Sequence, residues 1–324
     1  MSHRVLCLRP EADFARIDAM PPTGFEVAYH GPADAEVPAL MKASAALVIP
    51  AVGPKLAPSL FEGASLKLVQ VTGAGVDRLD QAALTKLGIP VANVAGGSNS
   101  AVAEYAVTAA STLLRRMAWS DAEIKNGNYV KFRARMVADN LAGIEGLLVG
   151  LVGFGTIGRA VAKAFEAMGS RVCYFDPAGG AQGASSATRV NSLQELLTAA
   201  DVVSLHVPLL PETQNLIGAR ELAMMKKDAV LIQAARGGVV DEAALAAALS
   251  EGRIGGAAVD VYSTEPPPAD NPLLTLKGEG ASRILLTPHI AGVTRQASAF
   301  LFRSAWQNVK RVLIDGQPPQ NRVY

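Results

Sequence analysis

The feature that most constrains the fold is a glycine-rich segment in the middle of the chain, "VGFGTIGRAVAKAF", which begins at Val152. It carries the pattern G-x-G-x-x-G at Gly153, Gly155 and Gly158, follows an apolar strand-like run and opens a helix-like pattern. A second strand-like run, "RVCYFD", ends at Asp176, 18 positions after Gly158. This order of strand, glycine turn, helix and acid-ended strand predicts a dinucleotide-binding βαβ unit.

Each part of this segment has a physical role in the predicted unit. The first glycine permits a tight turn, the second lets the backbone approach a pyrophosphate, and the third lets the helix lie close to the strand. Thr156 and Ile157 begin the helix, whose N–H groups and positive dipole end attract phosphates. Asp176 can accept hydrogen bonds from a ribose, which favours NAD over NADP. The alternative is a glycine-rich turn without a ligand.

The rest of the chain alternates strand-like and helix-like patterns, which is typical of parallel α/β proteins. The first part contains the strand candidates "VLCL", "FEVAYH", "ALVIP", "LVQV" and "VANV". The part after Gly146 contains "LLVGLVG", "RVCYFD", "DVVSLHV", "AVLIQAA", "GAAVDVY" and "RILLTPH". At 324 residues the chain is long enough for two domains. We therefore predict an α/β fold of two Rossmann-like or flavodoxin-like parallel-sheet domains.

Two helical patterns flank the second part. "SAVAEYAVTAASTLLRRM" repeats apolar residues at helical spacing after a Ser-Asn-Ser cap candidate, and "TRQASAFLFRSAWQNVKRVLIDG" ends at Gly316. The polar stretch at 118–142 carries three scattered aromatic residues, Trp119, Tyr129 and Phe132. It is either an arm that buries these rings against a partner chain or an excursion packed over its own domain.

Composition excludes several classes of function. Half of the residues are hydrophobic, 18% are charged and the net charge is +1, so no basic surface for nucleic acid or for a membrane is expected. No stretch is apolar and long enough for a signal peptide or a membrane span, and we expect a cytoplasmic protein. The two cysteines, Cys7 and Cys173, lie in strand-like runs and are expected to pack in cores. We expect no metal site.

Arg236 follows an apolar strand in "LIQAARGGVVDEAAL". The carboxyl ends of parallel strands face the ligand in an open α/β sheet. An arginine there offers a planar fork for a carboxylate. The alternatives are a surface arginine and an ion pair with Asp241.

Glu265 and His289 follow the next two strands, in "AAVDVYSTEPPP" and "ILLTPHIAG". Side chains at the ends of successive strands can meet, and a carboxylate next to an imidazole orients it and favours its protonated form. His289 would then be an oriented acid and base. The alternatives are a polar strand-end histidine and an ordinary loop acid.

Taken together, these segments resemble the D-isomer-specific 2-hydroxyacid dehydrogenases. The resemblance covers nearly the whole chain and is carried by "VTGAGVD", "VAEYAV", "GLVGFGTIGRAVA", "HVPLLPET", "AARGGVVDEAAL", "AVDVYSTEP", "LTPHIAG" and "NVKRVL". One departure is Gln233, where the family usually has asparagine. We expect this change to affect packing beside the site and not the chemistry.

The resemblance implies roles for particular residues. Arg236 would bind the carboxylate of a small 2-oxo or 2-hydroxy acid, His289 would donate a proton and Glu265 would hold His289. The backbone N–H groups of Ala74 and Gly75 would also bind the carboxylate. Further residues would line NAD: His206, Val207, Pro208, Thr213, Ala234, Asp260, His289 and Gly292. For His206 a role at the edge of the core is an equal alternative.

The resemblance also implies a domain organisation. A discontinuous substrate domain of residues 1–98 plus 292–324 and an NAD-binding domain of residues 99–291 would enclose an active-site cleft. A homodimer is expected, with 118–142 as the candidate contact. The expected reaction is hydride transfer between NAD(H) and C2 of the acid, and the rival is an NAD(H)-sensing protein of the corepressor type. Arg303 and Trp306 are candidates for substrate specificity.

Overall fold

The computed structural model describes residues 2–179 and 185–324. The strands, in chain order, are β1 His3–Cys7, β2 Phe25–Tyr29, β3 Ala46–Ile49, β4 Leu68–Val71, β5 Val91–Ala92, β6 Leu148–Val152, β7 Arg171–Phe175, β8 Thr188–Arg189, β9 Val202–Leu205, β10 Val230–Gln233, β11 Gly256–Val259 and β12 Ile284–Leu286. The helices are α1 Glu11–Ala15, α2 Val37–Ala43, α3 Gln81–Lys86, α4 Asn99–Leu114, α5 Met117–Lys125, α6 Tyr129–Ala138, α7 Thr156–Ala167, α8 Leu193–Ala199, α9 Ala219–Met224, α10 Glu242–Ser250, α11 Gly278–Ser282 and α12 Arg295–Leu313, with a 3₁₀ turn at Pro58–Phe61.

The chain divides into two compact units, Met1–Ser98 with Val293–Tyr324, and Asn99–Gly292. Gly292 lies in the second unit, whereas the sequence placed the boundary one residue earlier. Each unit contains one sheet of parallel strands, so the predicted class of two parallel α/β domains is confirmed. In the described residues, no helix combines the length and the apolar character needed to cross a membrane.

The first unit has a five-stranded sheet in the order β2-β1-β3-β4-β5. Its central strands β3 and β4 are buried on both faces and apolar except for Gln70, as expected when helices cover a parallel sheet. Helix α12 returns from the far end of the chain to complete one of the two core layers. There Phe14 packs against Phe302 and Trp306, with ring centroids 4.9 and 5.5 Å apart.

The predicted specificity roles of Arg303 and Trp306 do not fit their surroundings. Trp306 is 1% exposed and belongs to the core of the first unit, so it fills space between α12 and the sheet. Arg303 donates to the backbone carbonyls of Ile17 and Asp18 at 3.0–3.3 Å. The pattern of α12 showed an aromatic residue but not which face of the helix is buried.

The second unit has a seven-stranded sheet in the order β12-β11-β10-β9-β6-β7-β8. The strand order reverses at β6, which pairs with β7 on one side and β9 on the other. Open parallel sheets bind ligands at the carboxyl ends of the strands beside such a reversal. The six predicted strands of this part are confirmed, and β8 is an additional two-residue strand paired with β7.

The 118–142 stretch forms two helices, α5 and α6, that fold back on each other. Trp119 and Phe132 are each 6% exposed and pack together with centroids 5.3 Å apart. Arg135 lies over the Trp119 ring at 4.7 Å and pairs with Glu279 in the same unit. For Trp119 and Phe132 the structure therefore favours packing over their own domain and not against a partner chain. Tyr129, in contrast, is 58% exposed.

Candidate active site

The glycine turn after β6 is closely packed at two of its three glycines. Gly153 has φ +93°, and a Cβ there would lie 2.5 Å from the backbone oxygen of His206. A Cβ on Gly158 would lie 2.4 Å from the oxygen of Gly153. Any larger residue at either position would push β6, α7 and the β9 end apart, so glycine is a packing requirement here.

The middle glycine, Gly155, faces open space. A Cβ there would meet no described atom within 4 Å, and the first turn of α7, which opens with Thr156 and Ile157, has no side-chain cap. Uncapped N–H groups at the positive end of a 12-residue helix are a ready anion site. The residues present therefore fit the pyrophosphate of a dinucleotide.

Asp176, at the end of β7, supports the glycine turn. Its Oδ2 accepts from the N–H of Phe154 at 2.8 Å and its Oδ1 from the N–H of Ala178 at 2.9 Å. Arg189 on β8 also contacts Asp176, since its Nη2 donates to the Asp176 carbonyl at 3.1 Å. This contact could not be predicted from the sequence, since β8 has only two residues. Part of the intervening loop, 180–184, lies outside the described residues.

The segment after β9 contains a histidine whose side chain belongs to the core edge. The Nε2 of His206 is 2.9 Å from the hydroxyl of Ser204, which is fully buried. Burial lowers the pKa of His206 to about 4, so the imidazole is neutral at neutral pH. The backbone N–H of His206 donates to the carbonyl of Val152 at 2.7 Å. These contacts favour the core-edge alternative for the side chain.

Two further predicted cofactor residues, Pro208 and Thr213, belong to the loop that follows Val207. The Thr213 hydroxyl donates to the Pro208 carbonyl at 2.6 Å and accepts from the N–H of Leu210 at 2.8 Å, which closes this loop on itself. Their role towards a cofactor stays a prediction, as does that of Ala234 beyond β10.

Arg236 lies past the carboxyl end of β10 in a loop fixed by Gln233. The Nη1 of Arg236 donates to the Ala235 carbonyl at 2.7 Å. Gln233 is 2% exposed, and its amide donates to the Arg236 carbonyl at 2.8 Å and accepts from the N–H of Ala235 at 3.3 Å. The unusual glutamine therefore contacts the loop backbone, in line with a packing role. Asp241 caps α10 through the N–H groups of Ala243 and Ala244.

Glu265 and His289 are in direct contact. The Nδ1 of His289 lies 2.8 Å from Oε2 of Glu265, and both side chains are 27% exposed. The other carboxylate oxygen of Glu265 accepts from the N–H of Tyr262 at 3.0 Å, so the carboxylate cannot rotate freely. Among the described residues none bonds Nε2 of His289. The imidazole is thus oriented through one nitrogen and can exchange a proton through the other.

The backbone of His289 is held in an unusual conformation by Asp260. His289 has φ +56°, in the left-handed region, which costs a non-glycine residue about 1–3 kcal/mol. Its N–H donates to the Asp260 carbonyl at 2.8 Å. The Asp260 carboxylate, 1% exposed, accepts from the N–H groups of Ile290 and Ala291 at 2.8 Å and from the Thr287 hydroxyl at 2.6 Å.

The resemblance to the family predicted Asp260 only as a cofactor residue. The hydrogen-bond partners of Asp260 described above are all protein atoms. Sequence reasoning missed this anchoring role, although the order Asp, Glu, His on successive strand ends contained the residues. Gly292 ends the anchored segment and the unit. Whether Asp260 and Gly292 also contact a cofactor stays a prediction.

In the first unit, Ala74 and Gly75 lie on the loop after β4. The described residues provide no acceptor for the N–H of either, while the Ala74 carbonyl accepts from the Asn93 side chain at 2.7 Å. Arg78, 4% exposed, donates from Nε and Nη1 to two proline carbonyls within residues 50–54 at 2.9 and 3.0 Å. Burial lowers its pKa. Sequence reasoning did not single out Arg78, because an arginine in a loop gives no sign of burial.

The comparisons with known proteins agree on one family. Residues 107–291 match the model of the "D-isomer specific 2-hydroxyacid dehydrogenase, NAD binding domain". The chain is 36% identical over 273 residues to a glycerate dehydrogenase of Methylorubrum extorquens, covering 83% of this chain and 82% of the relative. It is 33% identical over 267 residues to a glyoxylate reductase of Aeropyrum pernix, covering 82% and 78%.

A solved structure shows the same architecture over the full length. The TT0316 protein of Thermus thermophilus superposes with a TM-score of 0.82 and 32% identity, covering 99% of this chain and 100% of that one. The family match spans more than half of the chain and includes the glycine turn, Arg236, Glu265 and His289. The chain therefore belongs to the D-isomer-specific 2-hydroxyacid dehydrogenases, NAD-dependent oxidoreductases of 2-hydroxy acids.

Proposed function

We propose that this enzyme reduces a small 2-oxo acid with NADH, or catalyses the reverse reaction, with Arg236, Glu265 and His289 as its catalytic residues. The observation that carries the proposal is the 2.8 Å contact between His289 and Glu265. The relatives named as glycerate dehydrogenase and glyoxylate reductase make hydroxypyruvate and glyoxylate the first substrates to test.

Arg236 is the proposed anchor for the substrate carboxylate. Its guanidinium is planar and can donate two parallel hydrogen bonds, which orients a carboxylate as well as attracting it. The backbone around it is fixed by Gln233, so the anchor starts from a restricted position. The N–H groups of Ala74 and Gly75, for which the described residues provide no acceptor, are proposed as donors to a substrate carboxylate.

His289 is the proposed acid for reduction. Bound NADH would supply a hydride for C2, and the oxygen on C2 needs a proton. Protonated His289 donates it from Nε2, while Glu265 accepts from Nδ1 and stabilises the imidazolium before the transfer. In the oxidative direction the neutral imidazole takes the hydroxyl proton at Nε2, and the same carboxylate stabilises the product cation.

A homodimer built on α5 and α6 is proposed as the assembly. Three apolar side chains of α6 are largely exposed: Tyr129 58%, Val130 80% and Val137 66%. Exposed apolar residues gathered on one short helix mark a contact surface. Light scattering of the protein and of a Val130→Asp, Val137→Asp variant tests this, with a monomeric variant as the expected result.

The experiment for the reaction is NADH oxidation with a panel of 2-oxo acids. Turnover of at least one acid, lost in His289→Gln, supports the proposal. Tight NADH binding without turnover of any acid would contradict it and favour a sensor of NAD(H).

A further inference from the structure

Glu242, at the start of α10, is bound to the loop that carries Glu265. Its Oε1 accepts from the N–H and the hydroxyl of Ser263 at 2.6 and 2.8 Å. Its Oε2 accepts from the side-chain amide of Asn271 at 2.6 Å. Ser263 and Asn271 stand on either side of Glu265 in the chain. One carboxylate therefore fastens both flanks of the Glu265 loop to a helix.

The loop is fixed from a second direction by the segment that carries Arg236. A Cβ on Gly237 would lie 1.8 Å from the carbonyl oxygen of Tyr262, so the two backbones are in direct contact. Tyr262 and Ser263 are consecutive, and their N–H groups are bound by Glu265 and Glu242 respectively. Movement at Glu242 must therefore be transmitted to the Glu265 carboxylate.

An acid in the first turn of a helix usually needs no explanation beyond the helix dipole. Glu242 differs because each of its carboxylate oxygens accepts from this one loop. Asn271 is 5% exposed and cannot flip its amide, because its Oδ1 already accepts from the N–H of Leu273 at 2.9 Å. Position 242 must therefore supply two acceptor oxygens, because the Ser263 N–H and the Asn271 amide are both fixed donors.

We propose that Glu242 is a positioning residue for the reaction, which holds Ser263 and Asn271 and so sets the contact between Glu265 and His289. This rests on the proposed function, in which Glu265 orients the imidazole. Glu242 itself touches none of the reacting groups.

The test uses Glu242→Gln, which keeps shape and size. Either orientation of the new amide places an NH₂ group against a donor, at Ser263 or at Asn271. A second change, Asn271→Asp, supplies an acceptor for that NH₂ group and keeps the bond to Leu273. The double variant has the same charge as the original pair, so it should restore the loop.

The readout is the ¹⁵N NMR spectrum of the histidine side chains, which is tractable because the chain has four histidines. In Glu242→Gln the imidazole resonances of His289 should move towards those of Glu265→Gln. The kcat for 2-oxo acid reduction should fall about tenfold, as expected for a slightly misplaced catalytic group, with the Kd for NADH unchanged. The Glu242→Gln, Asn271→Asp protein should return to the original spectrum and to within about twofold of the original kcat.

Asp241→Ala is the matched control. It removes the cap of the same helix end, so Tm should fall while the His289 resonances and kcat stay as they were. A folded Glu242→Gln protein with unchanged His289 resonances would overturn the proposal, as would a double variant that remains impaired. If Glu242→Gln does not fold, Asn271→Asp alone tests the same contact, because it replaces the amide donor with a carboxylate that faces the Glu242 carboxylate. Its effect is measured on the same His289 resonances. The spectrum needs no turnover, so failure of the substrate panel would be recognised separately.

Discussion

The loops at the carboxyl ends of the strands are anchored differently in the two units. In the first unit a buried cation, Arg78, donates to carbonyl groups of the loop after β3. In the second unit carboxylates accept from loop N–H groups: Asp176 at the glycine turn, Asp260 at the His289 loop and Glu242 at the Glu265 loop.

The difference teaches how a fold leaves groups available for a ligand. In the first unit Arg78 engages carbonyls of the loop after β3. On the loop after β4, which carries Arg78 itself, the described residues provide no acceptor for the N–H groups of Ala74 and Gly75, and such N–H groups suit an anion. In the second unit carboxylates satisfy N–H groups of the Glu265 and His289 loops, so the proposed chemistry there depends on the side chains that these loops hold in place, above all His289. Changes to either kind of anchor should therefore damage different steps.

The largest effect is expected from Asp260→Asn. The new NH₂ group faces backbone N–H donors, which leaves a buried polar group unsatisfied at about 1–3 kcal/mol and frees the His289 loop. The value of kcat/KM should fall by roughly 10²-fold or more, the contribution expected of a well-placed general acid. Steady-state kinetics and urea unfolding measure the two effects.

Asp201→Asn is the control for that change. Asp201 also accepts a backbone N–H, from Leu148, but at the amino end of the strands. It should lose stability and keep its kcat/KM. Equal kinetic losses in both variants would show that the position of the carboxylate anchor does not matter.

Arg236→Lys should reduce kcat/KM for the 2-oxo acid by about 10²-fold. Lysine keeps the charge but loses the fork that orients a carboxylate. Kinetics with the best acid of the panel measure the loss. If kcat/KM of the variant stays within about twofold of the original, Arg236 is not the residue that binds the carboxylate.

Asp176 should give a preference for NADH over NADPH of about 100-fold, because a 2′-phosphate would meet a carboxylate. Asp176→Ala should raise kcat/KM for NADPH, since Arg189 is left beside the site without the acid. Adding Arg189→Ala should remove that gain. Similar kcat/KM values for the two cofactors in the unmodified enzyme would show that Asp176 does not face the ribose.

Arg78→Met should raise KM for the 2-oxo acid about tenfold and leave the Kd for NADH unchanged, because it loosens only the first unit's loop that is proposed to bind the carboxylate. Arg4→Met, at an arginine whose side chain is 63% exposed, serves as the control. A fall in kcat without a change in KM would argue against separate roles for the two kinds of anchor.

The smallest effect is expected at the cysteines, one in each unit. Burial raises the pKa of Cys7 to about 12 and that of Cys173 to about 11, so the reactive thiolate forms only well above neutral pH. Neither should react with a thiol reagent at pH 8 in the folded protein. Rapid labelling of one of them would reveal local opening of its unit.

The strands and the Glu265–His289 contact could be predicted from sequence because both follow from local rules. Apolar runs of a few residues mark buried strands, and ends of neighbouring parallel strands come together. The anchors could not be predicted in the same way. Arg78 donates to backbone carbonyls of the loop after β3, and Glu242 accepts from one backbone N–H and two side chains of the Glu265 loop. Nothing in the sequence of these loops states which distant residue such groups face.

The positions of Trp306 and Arg189 could not be predicted for a similar reason. Trp306 is one of several apolar residues on α12, and which of them faces the sheet depends on a unit assembled from both ends of the chain. Arg189 reaches Asp176 through a strand of two residues, below the length at which alternation can be recognised.

The contribution of α12 to the first unit has a consequence for synthesis on the ribosome. Phe14 emerges early, but its partners Phe302 and Trp306 are made only after the whole second unit, whose 194 residues follow Ser98. At roughly 5–20 residues per second this delay is about 10–40 s. During that time the second unit can fold from a continuous segment, while the first must wait with its aromatic core uncovered. Newly made chains should therefore depend on chaperones mainly through their first 98 residues.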